Sequence, residues 1–136
     1  RQPVWLSISC ALNEKDKKLM HGYQENLENS EAKFYDNFEK SISDFSKNHQ
    51  GPILVAHSDI RITSDAIKKI KKNHKGVAGA YPNNGYFEKP MWKSIDNVSP
   101  SYYQDQAKSW ILNGAQIIGG CCGVGPDLIE AISKLK

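Results

Sequence analysis

The sequence is short of cysteine, with three in 136 residues, at positions 10, 121 and 122. So small and odd a number excludes the disulfide framework of a small secreted domain and points to a reducing, cytoplasmic setting. Long apolar runs are also missing. The longest uncharged stretch, Ser109 to Pro126, contains five glycines together with Asn113 and Gln116, which makes it a poor membrane span. Charge of one sign is scarce too: the net charge is +3, too small an excess to indicate a nucleic-acid partner. Lys68, Lys69, Lys71, Lys72 and Lys75 supply much of it from one predicted helix and its exit, and they read as a solvated outer face. At 39% hydrophobic and 24% charged residues, what remains is a soluble globular chain of one domain's length, 1–136.

What is present is concentrated in Gly119-Gly120-Cys121-Cys122-Gly123-Val124-Gly125-Pro126. On a regular strand Cys121 and Cys122 would point to opposite faces. They converge on one target only where the backbone leaves the strand, and the flanking glycines permit that turn. Two thiolates aimed at one point suit zinc, although two cysteines are not a full ligand set. The alternative is a tight turn whose cysteines are merely small buried residues. An anion cradle ahead of Pro126 would use the same glycines but give the cysteines no role.

The rest of the chain alternates. Pro3 to Cys10 reads as a buried strand, followed by some twenty polar residues that suggest a long loop containing His21 and Gly22. Phe34, Phe38, Ile42 and Phe45 form an amphipathic stripe with Asn29 and Ser30 as capping candidates. Ile53 to Ala56 is a short apolar strand running into His57-Ser58-Asp59. Thr63 or Ser64 caps a helix with Ala66, Ile67 and Ile70 inside, and Val77 to Tyr81 is the next strand. Ser99-Pro100 opens a third helix with Tyr103, Ala107, Trp110 and Ile111 facing inward. Ala115 to Ile118 is the last strand and Pro126 to Leu135 the last helix. Four strand–helix units with apolar strands predict an α/β fold with a parallel sheet, half of an eight-stranded (β/α)₈ barrel of about 250 residues. Cys10, His57, Asn83 and the cysteine pair all fall just after strands, the end at which barrel active sites are built.

Gly114-Ala115-Gln116-Ile117-Ile118-Gly119-Gly120-Cys121-Cys122-Gly123, with Pro126 and Ile129, resembles the C-terminal signature of the homocysteine S-methyltransferases. Tyr81-Pro82-Asn83 with Gly85 and Trp92 resembles the segment before it, and Pro3 to Cys10 an earlier strand. The resemblance implies a barrel that binds zinc through three cysteines and uses homocysteine and a methyl donor as substrates. It places the metal on Cys121 and Cys122. Tyr81 and Asn83 are candidates for lining the substrate pocket, against the plainer reading of Asn83-Asn84-Gly85 as a turn.

Two departures stand out. Where the family carries its first zinc cysteine, Ala56-His57-Ser58 offers a histidine, so His57 is the expected third ligand, with Asp59 as a candidate to orient it. The chain also matches only βα units five to eight of such a barrel and begins with Arg1, which suggests the back half of a longer protein. A half-barrel leaves sheet edges and one apolar face open, so association with itself or with an N-terminal half is expected. The competing expectation is a non-catalytic metal-binding scaffold.

Overall fold

The computed structural model describes residues 3–95 and 98–135, so both ends of the 1–136 range lie outside it. The chain begins with β1 (Leu6–Ile8), β2 (Cys10–Asn13), β3 (Lys18–Tyr23), β4 (Lys33–Asn37) and helix α1 (Phe38–Ser46). It continues through β5 (Ile53–Asp59), a 3₁₀ turn (Ile60–Ile62), α2 (Thr63–Asn73), β6 (Ala78–Asn83), β7 (Tyr86–Glu88) and β8 (Met91–Lys93). Helix α3 (Pro100–Leu112), β9 (Ala115–Ile118) and α4 (Pro126–Ser133) close it.

Strands β1, β5, β6 and β9 make one parallel sheet in that order. Leu6 stands opposite Ile53, Leu54 opposite Gly79 and Ala80 opposite Ile118. The four expected βα units are therefore present, laid side by side in chain order. Strand β5 shows why: all of its residues except His57 are buried, the near-continuous apolar run of an interior strand in a parallel sheet. On one face the helices close a core of Ile8, Phe38, Ile42, Val55, Ile67, Ile70, Tyr103 and Trp110. Tyr103 meets Trp110 edge-on with ring centroids 5.5 Å apart, and its hydroxyl donates to Gly119 O at 2.8 Å. That bond fastens α3 to the segment leading into the cysteine pair.

The other face of the sheet is open. Trp5, Ser7, Leu54, Tyr81, Ile117 and Gly119 line a cleft of about 330 Å³ there, and Trp5 is 58% exposed.

Residues 10–37 depart from the expected loop. They fold as a three-stranded antiparallel sheet, β2-β3-β4, with Cys10 opposite His21 and Met20 opposite Asn37. A bulge between His21 and Gly22 breaks the alternation that would have announced these strands. Gly22 is required there, because a Cβ would lie 2.0 Å from Lys33 O. Phe34, expected on the helical stripe, sits in β4 and is largely exposed. Helix α1 starts later because Asn37 caps it, accepting from Lys40 N at 3.0 Å, whereas Asn29 and Ser30 are engaged with Asn26 in the preceding loop. Neither Thr63 nor Ser64 caps α2. Asp59 caps the 3₁₀ turn ahead of it, and Thr63 donates back to Asp59 O. Ser99 caps α3 as expected, accepting from Tyr102 N at 3.2 Å, but Ile111 turns partly to solvent.

The lysines of α2 are not all free. Glu39 of α1 accepts from Lys69 at 3.0 Å and Lys72 at 3.1 Å, which pulls its pKa from an ordinary 4.5 down to about 2. A carboxylate with a depressed folded pKa contributes stability above its unfolded pKa and loses it as pH falls through the folded one. The pair is partly exposed, so the term is small, below about 1 kcal/mol. Glu39→Gln is expected to lower stability by that amount at neutral pH. In urea titrations the gap to the parent should close between pH 4.5 and about 2. A gap that persists at pH 2 would assign the loss to packing instead.

Candidate metal centre

The turn after β9 is held by the exit of β6. Gly119 N donates to Ala80 O, Cys121 N to Pro82 O, and Asn84 N to Cys122 O, each at 2.9 Å. Val124 N then closes the turn on Cys121 O at 3.2 Å. Glycine is needed twice. A Cβ at Gly120 would lie 2.2 Å from Val124 Cγ1, and one at Gly123, where φ is +77°, would lie 2.1 Å from Asn84 O. The bend brings two consecutive side chains to the same side, and the sulfurs of Cys121 and Cys122 stand 3.7 Å apart as free thiols. This answers the question left by the sequence: the pair converges.

The third group comes from β5. The pairing of β5 with β6 is irregular between Ala56 and Asp59, and His57 adopts φ +47°, rare for a residue with a Cβ. Ser58 stabilises the irregularity by donating to Ala56 O at 2.7 Å and accepting from Cys10 N at 2.8 Å. The result aims His57 Nδ1 at both sulfurs, 3.7 Å from Cys121 and 3.6 Å from Cys122. Tetrahedral zinc with Zn–S of about 2.3 Å and Zn–N of about 2.0–2.1 Å requires S···S of about 3.8 Å and S···N of about 3.5–3.6 Å. The three edges present match that triangle. Soft sulfur with imidazole is also the donor set that zinc prefers over harder cations. Among the described residues this trio is the one group of metal-ligating side chains gathered at such spacing.

Burial, then the neighbouring Cys121 sulfur, pushes the Cys122 thiol above its ordinary value. Cys10 is a different kind of cysteine. It is fully buried, burial lifts its pKa to about 12, and it takes no part in the trio.

Behind His57 lie residues that the sequence did not single out. Nε2 is 3.2 Å from the hydroxyl of Tyr23, which in turn donates to the carboxylate of Glu25. Burial and that carboxylate push the Tyr23 phenol's pKa up, so it keeps its proton. The other Glu25 oxygen accepts from Phe87 N at 2.8 Å. Asp59, expected to orient His57, is committed elsewhere: it accepts from Arg61, Leu27 N and Asn26. Of the expected substrate residues, Tyr81 lines the open cleft with its hydroxyl bonded to Ser7. Asn83 is fully buried at the end of β6, opposite Asp59, and its amide finds no partner among the described residues.

Four parallel βα units with two thiols and an imidazole gathered at the carboxyl ends of the strands define an α/β protein of the TIM-barrel type with a candidate metal centre. The chain belongs to the homocysteine S-methyltransferase family, whose sequence model matches residues 1–135. It is 32% identical over 72 residues to homocysteine S-methyltransferase 1 of Zea mays, across 51% of this chain and 22% of that protein. Homocysteine S-methyltransferase YbgG of Bacillus subtilis is 34% identical over 68 residues, 49% of this chain and 22% of its own length. In fold it resembles the homocysteine methyltransferase MmuM of Escherichia coli, solved in a metallated form, with a TM-score of 0.59 at 18% identity. That match covers 97% of this chain and 35% of MmuM. The matched stretches thus span about a fifth to a third of these relatives.

Proposed function

We propose that this chain is the zinc-bearing part of a homocysteine S-methyltransferase domain, with Cys121, Cys122 and His57 as the protein ligands. The observation that carries this reading is the triangle of His57 Nδ1 and the two sulfurs, whose edges of 3.6 to 3.7 Å fit one tetrahedral ion. Cys121, Cys122 and His57 would hold zinc, which would supply a Lewis acid able to keep a substrate thiol such as that of homocysteine deprotonated at neutral pH. The thiolate then attacks the methyl carbon of a donor. One S–C bond forms, the bond from the methyl group to the donor heteroatom breaks, and its electron pair leaves with the donor. Two thiolates and a neutral imidazole balance the dication, whereas three thiolates would leave one negative charge. A substrate sulfur on such a metal would be held more firmly and be less nucleophilic than at a three-cysteine site.

Tyr81 and Asn83 form the substrate side of this reading. Tyr81 walls the cleft on the sheet's open face, and the Asn83 amide offers both a donor and an acceptor that nothing else among the described residues uses. The thiolate ligands suit a reducing, cytoplasmic setting. No helix among the described residues is long and apolar enough to cross a membrane.

The uncovered face favours a second element of the proposal. Trp5, on the cleft, is 58% exposed, an arrangement expected of a half-barrel whose sheet face is not covered by further strands. We place the chain as βα units five to eight, completed by the other half of a barrel or by a second copy. Metal analysis of the freshly reduced chain, with methionine formation assayed alone and with the remainder of the barrel, tests the reading. About one zinc per chain is expected, and a content below about 0.2 would favour a scaffold without catalysis. Light scattering on the chain alone is expected to show self-association, and a well-behaved monomer would refute that part.

A further inference from the structure

The hydrogen bonds behind His57 have a direction that can be read from the atoms. Both Glu25 oxygens accept, one from Phe87 N and the other from the Tyr23 hydroxyl. The single phenolic hydrogen is thus spent on Glu25, and toward His57 the Tyr23 oxygen can only accept. Nε2 must then be the protonated ring nitrogen. In a neutral imidazole this leaves Nδ1 bare, and Nδ1 is the atom that faces the two sulfurs. The Tyr23 ring also lies against the imidazole, with centroids 5.2 Å apart and planes tilted by 35°, so the ring is restrained in rotation as well as in tautomer.

We infer that Tyr23, braced by Glu25, is the positioning residue that turns His57 into a metal ligand by fixing its ring with Nδ1 bare and aimed at Cys121 and Cys122. The inference rests on the zinc reading above. It adds that a histidine in this place requires an outer partner which a cysteine would not. A thiolate has one donor atom and no tautomers, while an imidazole offers two nitrogens and must be told which to present. The partner comes from β3 and the segment just beyond it, in the antiparallel layer laid over the carboxyl end of β5.

The test is zinc affinity measured by competition with a chromogenic chelator, on the whole chain and its variants. Tyr23→Phe keeps the ring and removes the acceptor, and it is expected to weaken binding by about 10- to 100-fold. Glu25→Gln leaves an acceptor in place and is expected to weaken it less. The deciding comparison uses a His57→Cys background, where the orienting bond has no ligand to act on. There Tyr23→Phe should change affinity by no more than about twofold, the range of independent sites. An equal loss in both backgrounds would mean that Tyr23 merely supports the fold, and the inference would fall. Nitrogen-15 spectra of the zinc-loaded parent give a second readout, with Nε2 protonated and Nδ1 shifted by the metal. The reverse assignment would also overturn it. Failure of the zinc reading looks different: the parent would bind no better than Cys122→Ser. Parent binding that is intact but indifferent to Tyr23→Phe overturns only the role given to Tyr23.

Discussion

Zinc titrated into Cys122→Ser is expected to bind at least about a hundredfold more weakly than in the parent. The trio has no spare member: each ligand atom sits within 4.8 Å of the other two, and Cys10 is buried apart from them. A serine hydroxyl keeps its proton where a coordinated thiol gives its up, so the substitution removes a ligand and a negative charge together. Structural zinc sites bind with about 10–16 kcal/mol. Removing one of three protein ligands should forfeit on the order of a quarter to a third of that, at least about 3 kcal/mol or a hundredfold in affinity. Cys121→Ser should behave alike. Cys10→Ser should leave zinc binding intact and appear in stability instead, because its site is a packed interior position. Metal content after dialysis and a competition titration separate these outcomes. Equal zinc retention by Cys122→Ser and the parent would remove the metal from the account of this protein and leave only its ancestry.

Much of this site was legible in the sequence, for identifiable reasons. Strands β5 and β6 are largely buried, and with β9 they form short, mostly apolar runs set off by glycine and proline. The cysteine pair announced itself because adjacent thiols between glycines have few uses. His57 was legible only through the resemblance, which leads one to expect a metal ligand at that place. Its left-handed backbone left no mark in residue types, because nothing in Ala56-His57-Ser58 asks for φ +47°.

The layer over the site was not legible at all. Residues 10–37 form strands from mixed residues such as Lys18-Leu19-Met20-His21-Gly22-Tyr23, with a bulge at Gly22 and a left-handed Lys17 in the first turn. Their period-2 signal is interrupted before it can accumulate. Tyr23 and Glu25 were hidden with the strand that positions them. Asp59 misled for the opposite reason. It is close to His57 in sequence, but β5 ends there and its side chain turns toward Arg61, the Leu27 backbone and the Asn26 side chain.

That turn makes Asp59→Ala the substitution expected to damage the fold most. The Asp59 side chain is fully buried and gathers donors from three directions. Arg61 contributes its Nη2 at 2.7 Å, its Nε at 3.0 Å and its backbone N at 2.8 Å. Leu27 N donates at 3.0 Å and Asn26 Nδ2 at 3.3 Å. Alanine would leave these donors facing one another without an acceptor, and water has little room to replace it. Breaking a buried charge pair from one side typically costs about 3–5 kcal/mol. That is a large share of the 5–15 kcal/mol or so that holds a domain together. Arg61→Ala should cost less, because its guanidinium is one-third exposed and Asp59 would retain the Leu27 and Asn26 donors. The order Asp59→Ala well below Arg61→Ala, read from urea midpoints at unchanged slope, is the expected result. The damage should also reach the metal. Leu27 lies two residues past Glu25, so freeing it loosens the carboxylate that braces Tyr23 against His57. Zinc affinity measured at temperatures where Asp59→Ala is still folded should therefore fall as well. A folded Asp59→Ala protein with unchanged zinc affinity would show that the 26–27 anchor and the imidazole are mechanically independent. A loss of stability under about 1 kcal/mol would show that the five donors are satisfied elsewhere once the carboxylate is gone.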